Sequence, residues 1–277
     1  MQFYCMNNQE ILDQVILGYK IAEQLLIPVM VCFDGFRLSH TMMPVAIPTQ
    51  EEIDAFLPPY DPPYQLEADR PVNVNPVVMS DALADAEGVV CPGYMGFRHR
   101  LQESLESALP LIAEAGGSFE EAFGRSYAAP LFRHRAEDAD FLFLTMGSLT
   151  SEACETADML RDEGVKAGVV GVRVFRPFPG GALAEAVAGA RCVAVVEKAI
   201  SYGYEGALAT EFKAALFSAF ASNGGRGAAL PTVTNYIVGL GGKDVRPLDL
   251  LECAHETVKL MDEGKRQDRP RWIGADS

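Results

Sequence analysis

Residues 141–174 read FLFLTMGSLTSEACETADMLRDEGVKAGVVGVRV, and this stretch decides the fold. Phe141 to Thr145 is an apolar run of strand length, and Ala167 to Val174 is a second. Between them, Ser151 to Glu163 carries Ala153, Ala157 and Leu160 at helical spacing, and Gly164 supplies a stop. Strands without polar alternation suit a sheet covered on both faces, and strand, helix, strand in succession implies a parallel pair joined by a crossover.

The same alternation continues downstream. After Pro177-Phe178-Pro179 a short helix leads to a strand over Arg191 to Val196. A longer helix over Gly206 to Ala221 places Leu208, Phe212, Ala215 and Leu216 on one face, followed by a strand over Thr232 to Val238 and a last helix over Leu248 to Met261. The expectation is an α/β domain with a parallel sheet over residues 137–263, with 264–277 as a tail.

Upstream the pattern is less regular. Asn7 with Glu10 resembles a capping box, and Ile11, Leu12, Val15, Ile16 and Tyr19 follow at helical spacing. Ile27 to Phe33, with Pro28 near its edge, predicts a buried parallel strand that ends at Asp34-Gly35. One helix and one strand cannot close a core, so residues 1–45 are expected to pack against a partner or upstream sequence. Residues 46–136 predict a proline-rich arm and a helical bridge. Pro58, Pro59, Pro62, Pro63, Pro71 and Pro76, with Tyr60 and Tyr64 among them, argue against regular helix or central strand. Gly96 to Phe123 then reads as helix, kinked at Pro110 and broken at Gly116-Gly117, and Asn223 to Gly227 reads as a flexible loop tip.

A net charge of −15 disfavours nucleic acid and anionic membranes as partners. No apolar run approaches the roughly 20 residues of a bilayer span. Met1 to Cys5 lacks a basic region followed by an apolar stretch, so a cytoplasmic protein is expected. The six cysteines are scattered singly, which predicts reduced, mostly buried thiols and no metal centre.

Chemistry-bearing residues are few. Gly147-Ser148 lies between a strand and a helix, where backbone N–H groups can hold an anion, or where an ordinary capped turn can sit. Gly239-Leu240-Gly241-Gly242-Lys243 has Asp244 where a phosphate loop needs a hydroxyl, which excludes that motif and leaves a tight loop or a close approach by another chain or ligand. His40 follows a strand end together with Asp34, Arg37 and Ser39, an acid-base grouping with no accompanying nucleophile; a hydrogen-bonded interface loop is the alternative. His99 and His134 stand among arginines and suit either an anionic ligand, such as a coenzyme A phosphate, or salt bridges to an acidic segment. His255 reads as a core residue on the inner side of a helix.

Four groups, in order, carry a resemblance: Tyr4 with Asn7-Asn8-Gln9-Glu10, Asp34-Gly35-Phe36 with Ser39-His40, Arg176-Pro177-Phe178-Pro179, and Tyr236 with Gly239-Leu240-Gly241-Gly242. Together with the closing Arg271-Trp272-Ile273-Gly274 they resemble the α subunit of pyruvate:ferredoxin oxidoreductase and related 2-oxoacid oxidoreductases. The resemblance implies that residues 1–45 are the tail end of a thiamine-diphosphate pyrimidine-binding domain and 137–263 a transketolase C-terminal-like domain. It implies oxidative decarboxylation of pyruvate or a related 2-oxoacid with coenzyme A, giving acyl-CoA, carbon dioxide and reduced ferredoxin. Thiamine diphosphate and magnesium would serve the assembled complex. A β subunit would carry the diphosphate-binding domain, and γ and δ subunits or their equivalents would carry the iron-sulfur clusters and receive the acidic ferredoxin.

On the same basis Asn7, Gln9, Asp34, Ser39, His40, Gly147 and Ser148 are expected near cofactor or coenzyme A. The resemblance implies that the family's substrate-binding threonine segment and the glutamate that activates the aminopyrimidine correspond to positions before Met1, and Met6 stands where the family has an acidic residue. The chain alone is therefore expected to be inactive, as part of a split subunit or a truncated product. The alternatives are a non-catalytic assembly module, and a relative that uses another oxoacid such as phenylglyoxylate with NAD as acceptor.

Overall fold

The computed structural model describes residues 1–61, 83–84, 90–91, 93–222, 224 and 229–275. In chain order its elements begin with β1 (Gln2–Tyr4), α1 (Asn8–Leu25), β2 (Met30–Cys32), α2 (Gln50–Phe56), β3 (Leu83–Ala84) and β4 (Val90–Cys91). Next come α3 (Tyr94–Glu106), α4 (Ala108–Phe123), β5 (Leu131–His134), β6 (Phe141–Met146) and α5 (Leu149–Asp162). β7 (Ala167–Val172), β8 (Val174–Arg176), α6 (Gly180–Ala186), β9 (Cys192–Glu197) and α7 (Ala207–Ser222) follow, then β10 (Thr232–Ile237), α8 (Pro247–Asp262) and β11 (Arg271–Trp272). The chain divides into two compact units, one of Met1, Ile16–Val29 and Pro48–Ala128, the other of Gln2–Val15, Met30–Ile47 and Ala129–Ser277.

The larger unit is a three-layer α/β body. Its six-stranded sheet runs β11-β10-β9-β6-β7-β5, parallel throughout except for β5 against β7. Side chains alternate across it in the period of two that strands impose. Phe141, Phe143, Val169, Ala194 and Tyr236 meet Leu149, Ala153, Ala157 and Leu160 of α5 and Leu250 and Ala254 of α8 on one face. Leu142, Leu144, Val170, Val193 and Val195 meet Leu183 of α6 and Leu208, Phe212 and Leu216 of α7 on the other. Both faces are dry, which is why these strands read as continuous apolar runs, and each fully buried Leu or Phe contributes roughly 1.5–3 kcal/mol. Among the described residues no helix is long and apolar enough to cross a membrane.

The structure corrects several expectations. The run after Gly164 is two strands parted at Arg173 rather than one, and β5 adds an antiparallel edge. The strand expected over 27–33 shortens to β2, whose Met30 is 56% exposed, so it is not buried. It pairs in parallel with β1, and β1 pairs antiparallel with β8. This chain's own sheet thus partners the opening segment. On α1 it is Ile16, Leu17 and Ile21 that are buried, whereas Val15 and Tyr19 face solvent.

In the smaller unit the proline-rich stretch does contain a helix. α2 forms because Thr49 and Glu52 make a reciprocal capping box, Glu52 N–H donating to Thr49 Oγ1 and Thr49 N–H to the Glu52 carboxylate. Pro62, Pro63, Tyr64, Pro71 and Pro76, and Asn223, Gly225, Arg226 and Gly227 of the expected loop tip, lie outside the described residues. The helical bridge breaks at Ser107 between α3 and α4, not at the glycines. Pro110 falls in the first turn of α4, where a missing N–H removes no helical bond, and Gly116 and Gly117 continue the helix. Phe56, Phe119, Phe123 and Tyr127 build an aromatic cluster against which Lys20 sits, 3.8 Å above the Phe56 ring.

The cysteines follow their burial. Cys5, Cys192 and Cys253 are enclosed and Cys154 partly so, all as free thiols. Desolvation pushes the Cys154 thiol up to about 12 and Cys192 to about 11 from an ordinary 9.0. At pH 8 alkylation of Cys154 in the folded chain is expected to run roughly 1,000-fold slower than for a free thiol, because only thiolate reacts. Iodoacetamide labelling followed by peptide mapping, with and without denaturant, checks this.

Candidate functional site

Strand order places a crevice at the carboxyl ends of β6 and β9. The chain runs from β6 outward to β7, then returns to β9 on the opposite side of β6 and continues to β10 and β11. Neighbouring strands whose connections leave in opposite directions open a gap at their carboxyl ends, the place where ligands of open α/β sheets collect. Gly147-Ser148 follows β6, Lys198 follows β9, and Gly239 follows β10.

The 34–41 loop reaches into this crevice. Asp34 Oδ2 accepts the Ser148 N–H at 2.8 Å and lies 3.5 Å from Lys198 Nζ, which also donates to Ser148 Oγ at 2.9 Å. Gly147 turns with φ +69°, a left-handed conformation that favours glycine, and a Cβ there would rest in ordinary contact with Asp34 Oδ2 at 3.4 Å. The anion seat at the start of α5 is thus filled by the chain's own carboxylate. Asp34→Ala is expected to lower stability by about 1–3 kcal/mol, since charge-assisted bonds to a buried N–H and to Lys198 are lost together. Asp34→Asn should lose less, and urea midpoints of the two chains measure the difference.

The loop's other residues are held by α1. Asn8 Nδ2 donates to the carbonyls of Leu38 and Thr41 at 3.4 and 3.1 Å. Gln9 pairs with Ala46 as a backbone would, accepting its N–H at 2.6 Å and donating to its carbonyl at 3.1 Å, while also donating to Asp13 at 3.0 Å. Asn7 caps α1 by accepting the Glu10 N–H at 2.9 Å, and Glu10 in turn accepts from Met6 N–H and from Arg173. Ser39 accepts the Phe36 N–H at 3.0 Å and meets His40 Nδ1 at 2.7 Å, and the His40 ring stacks on Phe36 with centroids 4.9 Å apart.

Of the residues singled out from sequence, Asp34, Gly147 and Ser148 therefore converge. Ser39 and His40 are exposed on the same loop, and Asn7 and Gln9 are occupied in positioning it.

The glycine loop forms the facing wall. Gly239, Gly241 and Gly242 all have positive φ, and a Cβ on Gly242 would come 2.9 Å from the Phe36 ring. Between this loop and Asp34, Phe36, Arg37, Glu152 and Lys198 lies a cleft of about 460 Å3. Arg37 Nη2 bonds Glu152 Oε1 at 2.6 Å. Glu152 and Lys198 were not singled out from sequence. Lys198 stands just past the carboxyl end of a recognisable strand, and that position was its signal.

Three histidines lie elsewhere. His134 is 3.0 Å and Arg135 2.9 Å from Asp158, and His99 is 3.4 Å from Glu103, so each basic patch meets an acidic partner. His255 is not a core residue: its side chain is 61% exposed, 3.8 Å from Glu163.

Comparison with known proteins gives a consistent set of matches. Residues 139–250 match the family model of pyruvate:ferredoxin oxidoreductase core domain II, and residues 1–98 that of the pyruvate flavodoxin/ferredoxin oxidoreductase thiamine diphosphate-binding domain. The chain is 39% identical over 98% of its length to ketoisovalerate oxidoreductase subunit VorA of Pyrococcus abyssi. It is 38% identical over 99% to pyruvate synthase subunit PorA of Pyrococcus furiosus, and 38% over 93% to PorA of Methanothermobacter thermautotrophicus. It spans 64%, 65% and 61% of those relatives respectively. Among solved structures, the 2-oxoglutarate:ferredoxin oxidoreductase of Magnetococcus marinus, with 2-oxoglutarate, coenzyme A and succinyl-CoA bound, shares its fold at TM-score 0.50 and 14% identity. That match covers 93% of this chain and 42% of the other.

Proposed function

We propose, from the premise that the chain belongs to the pyruvate:ferredoxin oxidoreductase family, that it serves as the α component of a 2-oxoacid:ferredoxin oxidoreductase. The carrying observation is identity of 38–39% over nearly the whole chain to subunits of two such enzymes, one named for pyruvate and one for ketoisovalerate. The proposed reaction is oxidative decarboxylation of a 2-oxoacid with coenzyme A to acyl-CoA and carbon dioxide, with electrons delivered to ferredoxin.

The chain's own residues fit an organising part in that reaction. Among the described residues no group of three or more His, Cys, Asp or Glu is arranged to hold a metal ion. Asn7 and Gln9 spend their side chains on α1 and the 34–46 segment, and the Ser148 N–H is taken by Asp34. These residues do not by themselves compose a thiamine diphosphate or magnesium site, and no chemical step is assigned to them. Thiamine diphosphate, magnesium and coenzyme A would act in the assembled complex with β, γ and δ subunits or their equivalents, and iron-sulfur clusters would reside on other subunits. Ser39 and His40, exposed beside the crevice, would meet a partner or coenzyme A there.

Reconstitution with the partner subunits tests this. Pyruvate, 2-oxoisovalerate, 2-oxoglutarate and phenylglyoxylate are offered in turn with coenzyme A, with ferredoxin or NAD as acceptor. Omitting this chain should abolish 2-oxoacid-dependent ferredoxin reduction. A complex that turns over at full rate without it, or fails to include it, overturns the proposal.

A further inference from the structure

The cleft beside Asp34 has an unmet requirement that the proposed reaction does not use. Glu152 lies on its wall with a side chain only 8% exposed. Oε1 is paired with Arg37, and Oε2 has no hydrogen-bond partner. A buried carboxylate oxygen without a donor is costly, and a donor is the missing element. Arg37 is the more exposed partner: its side chain is 47% exposed, and its second amino group, Nη1, makes only a long, solvent-exposed ion pair with Asp244 at 3.8 Å, beyond hydrogen-bond reach. An enclosed acceptor without a partner and a half-exposed guanidinium thus stand side by side.

The rest of the wall limits what can answer both. Asp34, Glu152 and Asp244 are matched in formal charge by Arg37, Lys198 and Lys243, so the wall is balanced and favours a ligand that is neutral overall yet carries both signs. Phe36, Leu240 and Val245 add an apolar portion suited to an aliphatic group. The volume, about 460 Å3, lies in the range of small-molecule sites, at the carboxyl ends of β9 and β10 where such sites form.

We propose that this cleft binds a small neutral α-amino acid, its ammonium on Glu152 Oε2, its carboxylate on Arg37 Nη1 and its side chain against Leu240 and Val245. The half-exposed Arg37 tilts outward as the ammonium enters and keeps its bond to Oε1. The site is independent of the reaction assigned above and would stand if the oxidoreductase role failed.

Titration of the 277-residue chain with L-valine tests it, with isobutyrate supplying the carboxylate alone and isobutylamine the ammonium alone. Calorimetry should detect L-valine, with each single-charge analogue about tenfold weaker or more, as expected when one charge-assisted bond is lost. Methyl resonances of Leu240 and Val245 should shift in the wild-type chain, a readout that needs no variant. Glu152→Gln and Arg37→Gln should each weaken L-valine by a similar factor, with circular dichroism reporting that they fold. No binding of L-valine, equal binding of either analogue, methyl shifts confined to other parts of the chain, or a crystal grown in L-valine that shows only ordered water at Glu152, overturns the proposal.

Discussion

Glu197→Ala is expected to cost about 3 kcal/mol or more, because buried donors left without their acceptor cost about 1–3 kcal/mol each. Glu197 ends β9 and is 1% exposed, with its carboxylate at the start of α7. It accepts the N–H of Leu208 at 2.9 Å, that of Ala209 at 3.2 Å and the Asn235 side chain at 2.9 Å. Asn235 in turn accepts the Gly206 N–H at 3.0 Å, so one acid and one amide satisfy the first turn of α7 together. Gly206 belongs to the arrangement because a Cβ there would stand 1.8 Å from Glu197 Oε1. Alanine at 197 leaves the Leu208 and Ala209 N–H groups without an acceptor and Asn235 Nδ2 with the Val195 carbonyl alone, at 3.3 Å, and urea unfolding at constant m-value reads the loss.

The pH dependence of that loss has a definite sign. Desolvation raises the Glu197 carboxyl above its ordinary 4.5, against the lowering by the Leu208, Ala209 and Asn235 donors. A raised folded value means this group's contribution is fully present below the unfolded value and declines as pH rises through the folded one. The deficit of Glu197→Ala should therefore be largest near or below pH 4.5 and shrink toward neutrality. A deficit that grows with pH would contradict the assignment.

Adjacent glycines in α4 should respond in opposite directions. A Cβ on Gly116 would meet Tyr127 C and O at 2.4 Å and Ala128 N at 2.5 Å, all of them backbone atoms that cannot swing aside. Gly116→Ala is expected to destabilise by about 3 kcal/mol, the upper end for overpacking. Gly117 has nothing within 4 Å of the same position, so Gly117→Ala should stabilise by up to about 1 kcal/mol through helix propensity alone. Thermal unfolding of the pair separates them, and equal effects would rule out the close approach.

These glycines also show where sequence reading stops. Composition marks both as helix breakers, yet Gly116 is there because of a chain segment eleven residues away, a tertiary fact with no local signature. The strands β6, β7 and β9 were legible because burial on both faces leaves long apolar runs, and β10 was legible through its β-branched and aromatic residues although Thr234 and Asn235 interrupt it. β1, β5 and β11 have two to four residues each, too short for a period to emerge, and exist through their partners. α2 was hidden by its proline neighbours, although Thr49 and Glu52 carried the capping-box signature. At the site, Asp34, Gly147 and Ser148 were found separately, but nothing in sequence says that the first fills the seat made by the others. Lys198 was passed over because a single lysine after a strand looks like any solvated charge.

The filled seat has a further consequence. Asp34 is tethered, so it competes with any free carboxylate or phosphate at an effective concentration set by its short loop, in the millimolar range or above, and without the entropy of capturing a second molecule. Dissolved anions at ordinary cellular levels would be outcompeted at Ser148 and Lys198. The anion seat at the start of α5 is therefore self-quenched in this chain, and only removal of the Asp34 side chain would expose the latent affinity of Ser148 and Lys198 to a titration.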